Sequence, residues 1–137
     1  MNNIIEISIT VDKPINVVWE YWTKPEHIIN WNFASPDWHC PSAINDLRSK
    51  GSFNYRMEAK DQSMGFDFYG EYLDVDLHHQ INYKLGDERK VWITFENIGG
   101  KTLINESFET EDENSAEMQK QGWQAILNNF KQYTENN

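Results

Sequence analysis

The chain has 137 residues, of which 14% are aromatic and 25% charged, with 22 acidic against 12 basic side chains and a formal charge of −10. That length fits one domain, and a domain of this size buries roughly 70% of its unfolded surface, enough for a core without covalent staples. An acidic balance with no basic cluster argues against nucleic acid and against anionic membrane surfaces as partners.

The N-terminal MNNIIEISI lacks the basic and long apolar regions of a signal peptide, and no apolar run approaches the ~20 residues that span a bilayer. We expect no membrane insertion. In IIEISITV, Ile5, Ile7, Ile9 and Val11 share one face against Glu6, Ser8 and Thr10, the pattern of a half-buried strand. Pro14 suits a first helical turn, and Val17, Val18, Tyr21 and Trp22 fit a short amphipathic helix. Thr23-Lys24-Pro25-Glu26 reads as a second helix start, with Thr23 as cap and Ile28, Ile29 and Trp31 as the apolar side.

The next segment, WNFASPDWHC, holds three large aromatics and the chain's one cysteine, yet has neither helical nor strand periodicity. Cys40 has no intrachain partner for a disulfide, which suits a reducing compartment and a cytoplasmic location. Asp37, His39 and Cys40 do not make a metal site, because zinc takes three or four ligands in recognisable spacing. His27, His78 and His79 lie on other elements. A nucleophilic cysteine needs a base within reach, and adjacent residues of an extended segment point to opposite faces.

From Gly51 the period changes to two. Phe53, Tyr55 and Met57 alternate with polar residues. After a turn at Lys60–Ser63, Phe66, Phe68, Gly70 and Tyr72 do the same. Ile81, Tyr83 and Leu85, then Val91, Ile93 and Phe95, then TLINESFE follow, separated by turns at Gly86-Asp87 and Gly99-Gly100. Strands at this spacing, joined by tight turns, form an antiparallel meander. The acidic run from Glu109 to Glu113 reads as a solvated loop. Asn114 with Glu117 resembles a capping box ahead of Met118, Trp123, Ile126, Leu127, Phe130 and Tyr133, an amphipathic helix of about 18 residues. Gly122 lies inside it, where glycine costs about 1 kcal/mol against alanine, so close packing or room for a ligand is expected there. The fold class is α+β: a long helix with one apolar stripe has the sheet as its one large partner.

VDKPINVVWEYWTKPEHIINW, DLRSKGSFNYRM, GEYLDVDLHHQINYKL and GWQAILNNFKQYTE, in this order, resemble the START-like (SRPBCC) superfamily. Within it they are similar to the branch homologous to the activator of the ninety-kilodalton heat-shock chaperone's ATPase, which includes the calicheamicin-resistance protein. Lys50-Gly51 stands where the family usually has two glycines, and Leu77-His78 near a usual proline. The resemblance implies a helix-grip fold over residues 1–137, with six or seven curved antiparallel strands around the C-terminal helix and two short helices after the first strand. It also implies a cavity between sheet and helix, which in the superfamily holds lipids, hormones, polyketides or other apolar molecules.

On that arrangement Phe53, Tyr55, Met57, Phe66, Phe68 and Tyr72 face one way and Trp123 approaches from the helix. These side chains form either a pocket wall or a filled core. Trp31, Phe33 and Trp38 are either a lid over the cavity mouth or a plug that anchors a long connection. We expect non-enzymatic binding of a small apolar or aromatic ligand and assign no catalytic residue, metal or cofactor. Glu58, Asp67, Glu71 and Asp74 fall on the outward phase, which weighs against acid–base catalysis by a cyclase or hydrolase. A chaperone partner is the lower-ranked alternative, since the eukaryotic activators carry a further N-terminal domain for which this chain leaves no room.

Overall fold

The computed structural model describes residues 3–137. Strand β1 (Ile4–Val11) leads into helices α1 (Ile15–Thr23) and α2 (Pro25–Ile28). Six strands follow: β2 (Trp38–Asn45), β3 (Ser52–Ala59), β4 (Gly65–Asp76), β5 (Gln80–Leu85), β6 (Lys90–Ile98) and β7 (Lys101–Glu109). Helix α3 (Ala116–Glu135) closes the chain. All strand pairs are antiparallel, and the order across the sheet is β1-β7-β6-β5-β4-β3-β2. The α1–α2 segment therefore carries the chain from one sheet edge to the other. Consecutive strands from β2 onward are antiparallel neighbours, and from β3 onward this is the meander that alternation and turns predict.

Alternation sets the inner face. Ile7 and Val11, Ile81, Tyr83 and Leu85, Val91, Ile93 and Phe95, and Ile104 and Phe108 are all buried. In β4 the inward phase runs through Phe66, Phe68, Gly70 and Tyr72. A bulge between Tyr72 and Asp74 then moves it to Val75, which pairs with Ile81. At Gly70 a Cβ would stand 2.3 Å from the Lys84 carbonyl oxygen, so glycine is needed for this close approach.

Helix α3 lies nearest β1. Lys131 Nζ donates to the Thr10 carbonyl at 2.6 Å and Gln124 Nε2 to that of Ser8 at 3.3 Å. Leu127, Phe130 and Thr134 are fully buried on its inner stripe. Among the described residues, no helix is long and apolar enough to cross a membrane.

Two cap assignments change. Lys24, not Thr23, is the N-cap of α2, and the Thr23 hydroxyl instead donates back to the Trp19 carbonyl at 2.8 Å. Ser115, one residue after Asn114, caps α3 by accepting from the Met118 amide at 3.1 Å. Strand β2 also begins inside WNFASPDWHC, at Trp38, where no strand is expected from the sequence.

Candidate functional site

Because α3 rests on the β1 side of a curled sheet, the inner face of β3–β5 has no helix pressed against it. A cavity of ≈ 970 Å³ lies there. Its sheet wall is Tyr55 and Met57 from β3, Phe66, Phe68 and Tyr72 from β4, and Ile81 and Tyr83 from β5. Trp123 and Ile126 face them from α3, and Trp22, Trp31 and Asn32 close the end beneath α1. Seven of the ten side chains singled out in the sequence thus line one space: Trp31, Tyr55, Met57, Phe66, Phe68, Tyr72 and Trp123.

The other three lie elsewhere. Phe53 is 4% exposed beneath the wall, with its ring 4.9 Å from that of Tyr83 and 5.2 Å from that of Tyr72. It packs over Gly70, so it supports the wall without forming it. Phe33 is half-buried, and its carbonyl accepts from Asn129 Nδ2 of α3 at 2.6 Å. Trp38 opens edge strand β2 and rests beside Phe66, centroids 5.8 Å apart, outside the cavity lining.

Within WNFASPDWHC, Trp31 both packs into the core and lines the cavity, whereas Phe33 and Trp38 do not line it. Trp31 is 3% exposed, and its ring lies 4.9 Å from those of both Trp22 and Phe130. Its indole Nε1–H donates to the Tyr21 carbonyl at 3.0 Å. Cys40 is buried off the cavity, its thiol donating to the Ser42 carbonyl at 3.4 Å, and burial pushes its pKa up to about 11. Among the described residues, no three His, Cys, Asp or Glu side chains stand together as metal donors.

The polar groups of the cavity are mostly engaged. Tyr72 Oη donates to Asn45 Oδ1 at 2.5 Å, Asn45 Nδ2 donates to the Thr23 carbonyl at 2.6 Å, and Tyr55 Oη stands 3.4 Å from Tyr72 Oη. Burial raises the pKa of Tyr72 to about 12 and holds Tyr55 and Tyr83 well above the usual phenol value, so the three present neutral hydroxyls. Gln119 spends its amide on the β7–α3 loop: Oε1 accepts from the Glu111 amide at 2.9 Å, and Nε2 donates to the carbonyls of Glu111 and Asn114. That loop, expected to be a solvated connection, contributes Glu111, Asp112, Glu113 and Asn114 to the cavity rim.

Glu106 is one exception, as is the Tyr83 hydroxyl, which has no hydrogen bond among the described residues. Glu106 sits on the inward phase of β7, between Ile104 and Phe108, opposite Ile7 on β1 and Ile93 on β6. It lines the cavity at 5% exposure. Among the described residues no hydrogen bond or cation offsets its desolvation, and burial alone pushes its pKa to about 8. The sequence carried the signal: in TLINESFE, Glu106 shares a phase with Thr102, Ile104 and Phe108, and a carboxylate in an otherwise inward set marks a site. The four carboxylates weighed from the sequence, Glu58, Asp67, Glu71 and Asp74, do not line the cavity.

A half-barrel of seven antiparallel strands gripping a C-terminal helix, with an apolar cavity between them, is the architecture of the START-like (SRPBCC) superfamily. Within it, the family model for Activator of Hsp90 ATPase homolog 1-like protein matches residues 12–135, and the chain belongs to that family. The solution structure of the AHSA1-like protein from Aeromonas hydrophila is 38% identical and superposes with a TM-score of 0.88, covering 96% of this chain and 92% of that one. Chr148 from Cytophaga hutchinsonii is 52% identical over the same shares of the two chains, with a TM-score of 0.84. A Chromobacterium violaceum protein at 19% identity and a TM-score of 0.87 shares the fold, covering 97% of this chain and 98% of its own. Among curated proteins, none matches this chain.

Proposed function

We propose that residues 1–137 act as one binding domain that takes up a small hydrophobic or aromatic molecule without chemical conversion. The observation that carries this reading is the ≈ 970 Å³ cavity between sheet and α3. Pockets of about 300–1,000 Å³ with apolar walls and a few fixed polar groups suit small-molecule ligands. Burial of apolar ligand surface drives binding at about 25 cal/mol per Å², and the hydroxyls of Tyr55, Tyr72 and Tyr83 orient the guest. We place this activity in the cytoplasm, on the strength of the single buried thiol.

The test is an amide NMR titration with fatty acids, sterols, flavonoids and polyketide-like aromatics, read at the six tryptophan indoles. Trp22, Trp31 and Trp123 line the cavity, whereas Trp38 and Trp92 do not and serve as internal controls. Saturable shifts confined to the first three, with one ligand class, support the reading. A folded sample that responds to none of the classes refutes it and moves the search to a protein partner, the chaperone-associated role that the family's name carries.

A further inference from the structure

We propose that the cavity takes a hydrophobic amine, with the protonated nitrogen held on the Glu106 carboxylate among the surrounding aromatic rings. This rests on the cavity-binding reading above and names its ligand class. Three features of different kinds converge on it.

The first is Glu106 itself. It is 5% exposed, faces the cavity, and has no hydrogen bond or ion pair among the described residues. An apolar side chain there would complete the inward set of β7, since Ile104 and Phe108 flank it and Ile7 and Ile93 lie across from it. A buried carboxyl without a partner is unfavourable unless something donates to it. A protonated amine supplies both the hydrogen bonds and the compensating charge.

The second is the wall. Tyr83, Phe68 and Trp123 present ring faces and edges to the same space, with Phe68 and Trp123 6.0 Å apart and nearly perpendicular. Aromatic faces attract cations through their quadrupoles, and the attraction grows when water is excluded.

The third is the mouth. Asp87, Glu111, Asp112 and Glu113 stand on the rim, and the one cation among the described residues that line the cavity, Arg89, is engaged by Asp87 at 2.7 Å. On a chain of charge −10 this mouth draws cations in and turns carboxylates away. A fatty acid or other anionic guest would meet both the rim and Glu106 with no free positive group among the described lining residues to receive it.

The charge balance of binding is definite. The unliganded carboxyl holds its proton near neutrality, because burial sets its pKa at about 8. An arriving ammonium replaces that proton as the positive partner, so R–NH₃⁺ plus Glu106–COOH gives the ion pair and one proton released to buffer. The titratable and charged groups on the surrounding elements are Tyr83 on β5, Arg89 and Asp87 in the β5–β6 turn, Tyr72 on β4, Tyr55 on β3, and the β7–α3 loop acids. The facing positions of β1 and β6, Ile7 and Ile93, and of α3, Trp123 and Gln119, are uncharged.

The experiment compares three anthracenes that share one frame and carry an aminomethyl, a hydroxymethyl or a carboxylate substituent. Binding is followed by tryptophan quenching, and proton release by calorimetry in buffers of different ionisation enthalpy. Wild-type protein is expected to bind the amine about tenfold or more tighter than the alcohol, as a charge-assisted hydrogen bond allows, and the carboxylate most weakly. Amine binding is expected to release close to one proton at about pH 7, and its affinity to rise about tenfold per pH unit below about pH 8. In Glu106→Gln the amine is expected to lose about tenfold and its proton release, while the alcohol, which also reports on folding, changes less than about threefold. Wild-type protein that binds the alcohol as tightly as the amine overturns the amine assignment and leaves the cavity reading standing. Amine preference that persists in Glu106→Gln overturns the role of Glu106. Failure of all three compounds to bind wild-type protein overturns the amine assignment, and the titration with the four ligand classes then decides the cavity reading separately.

Discussion

Glu106 also makes a prediction about stability that needs no ligand. Its ordinary carboxyl value is 4.5, and burial raises it to about 8 in the folded chain. The unfolded chain therefore releases this proton above pH 4.5 while the folded chain keeps it until about pH 8. Between those values the folded state binds more protons, so stability falls as pH rises. At about 1.4 kcal/mol per pH unit, the loss reaches about 3 kcal/mol near pH 7 and about 5 kcal/mol above pH 8. Below about pH 4 it vanishes, because both states are protonated there. Glu106→Gln removes the titration and keeps the shape. The variant's advantage should thus be least in acid and grow by a few kcal/mol toward about pH 9, a large share of the 5–15 kcal/mol typical of a domain. Urea unfolding of both proteins across this range measures it. The charge of −10 is common to both folds apart from this one group, so its general effect largely cancels in the difference. A wild-type-to-variant difference that stays flat with pH would refute the claim that Glu106 is buried and unpaired.

Gly122→Ala should stabilise the protein, because an added Cβ meets nothing within 4 Å and the site lies in a helix interior. A gain of about 1 kcal/mol corresponds to about 3 °C in Tm for a chain of this length, and calorimetry showing a loss would point to a packing role. Lys50 holds a left-handed φ of 70°, where a β-carbon costs about 1–2 kcal/mol, so Lys50→Gly should leave stability unchanged or raise it by up to about 1 kcal/mol. Cys40, pushed to about 11 from 9.0, should carry about a hundredfold less thiolate than a free thiol. Its alkylation should be correspondingly slow in the folded protein and fast in urea, and rapid native alkylation that blocks ligand binding would reverse that assignment.

Elements with one buried face were legible, since alternation in β1, β3, β5, β6 and β7 and the stripe on α3 report directly on which side faces the core. Strand β2 was not. It is an edge strand carrying Pro41, with a register shift between His39 and Ser42. Its burial does not alternate, because the edge demands neither a full hydrogen-bond ladder nor a continuous inner face. Most of the wall could be read from residue types and phase, but Phe53 could not be separated from its neighbours. What removes it from the cavity is the opposing Gly70, a feature of the pairing register that no single strand reveals. The close-packing reading of Gly122 failed for a related reason: the residue type carries the cost of a glycine, not the space beside it, and an added Cβ there meets nothing within 4 Å.

The cavity itself follows from how α3 is held. Phe130 locks its C-terminal half into the rings of Trp22 and Trp31, and hydrogen bonds from Gln124 and Lys131 tie it to β1. Trp123 stacks on Phe108 of β7, centroids 4.0 Å apart, and reaches the far wall through its edge contact with Phe68. The helix is thus fixed from one side. An unfilled apolar space is costly, at about 24 cal/mol per Å³ in cores that relax only partly, so a space of this size persists only where water or a guest enters it. Of the WNFASPDWHC segment, Trp31 and Asn32 line the end of the cavity beneath α1. Glu106 and the acidic loop lie toward the end where β7 runs into α3, so the unpaired carboxyl and the rim acids of the proposed amine site fall at the same end of the fold.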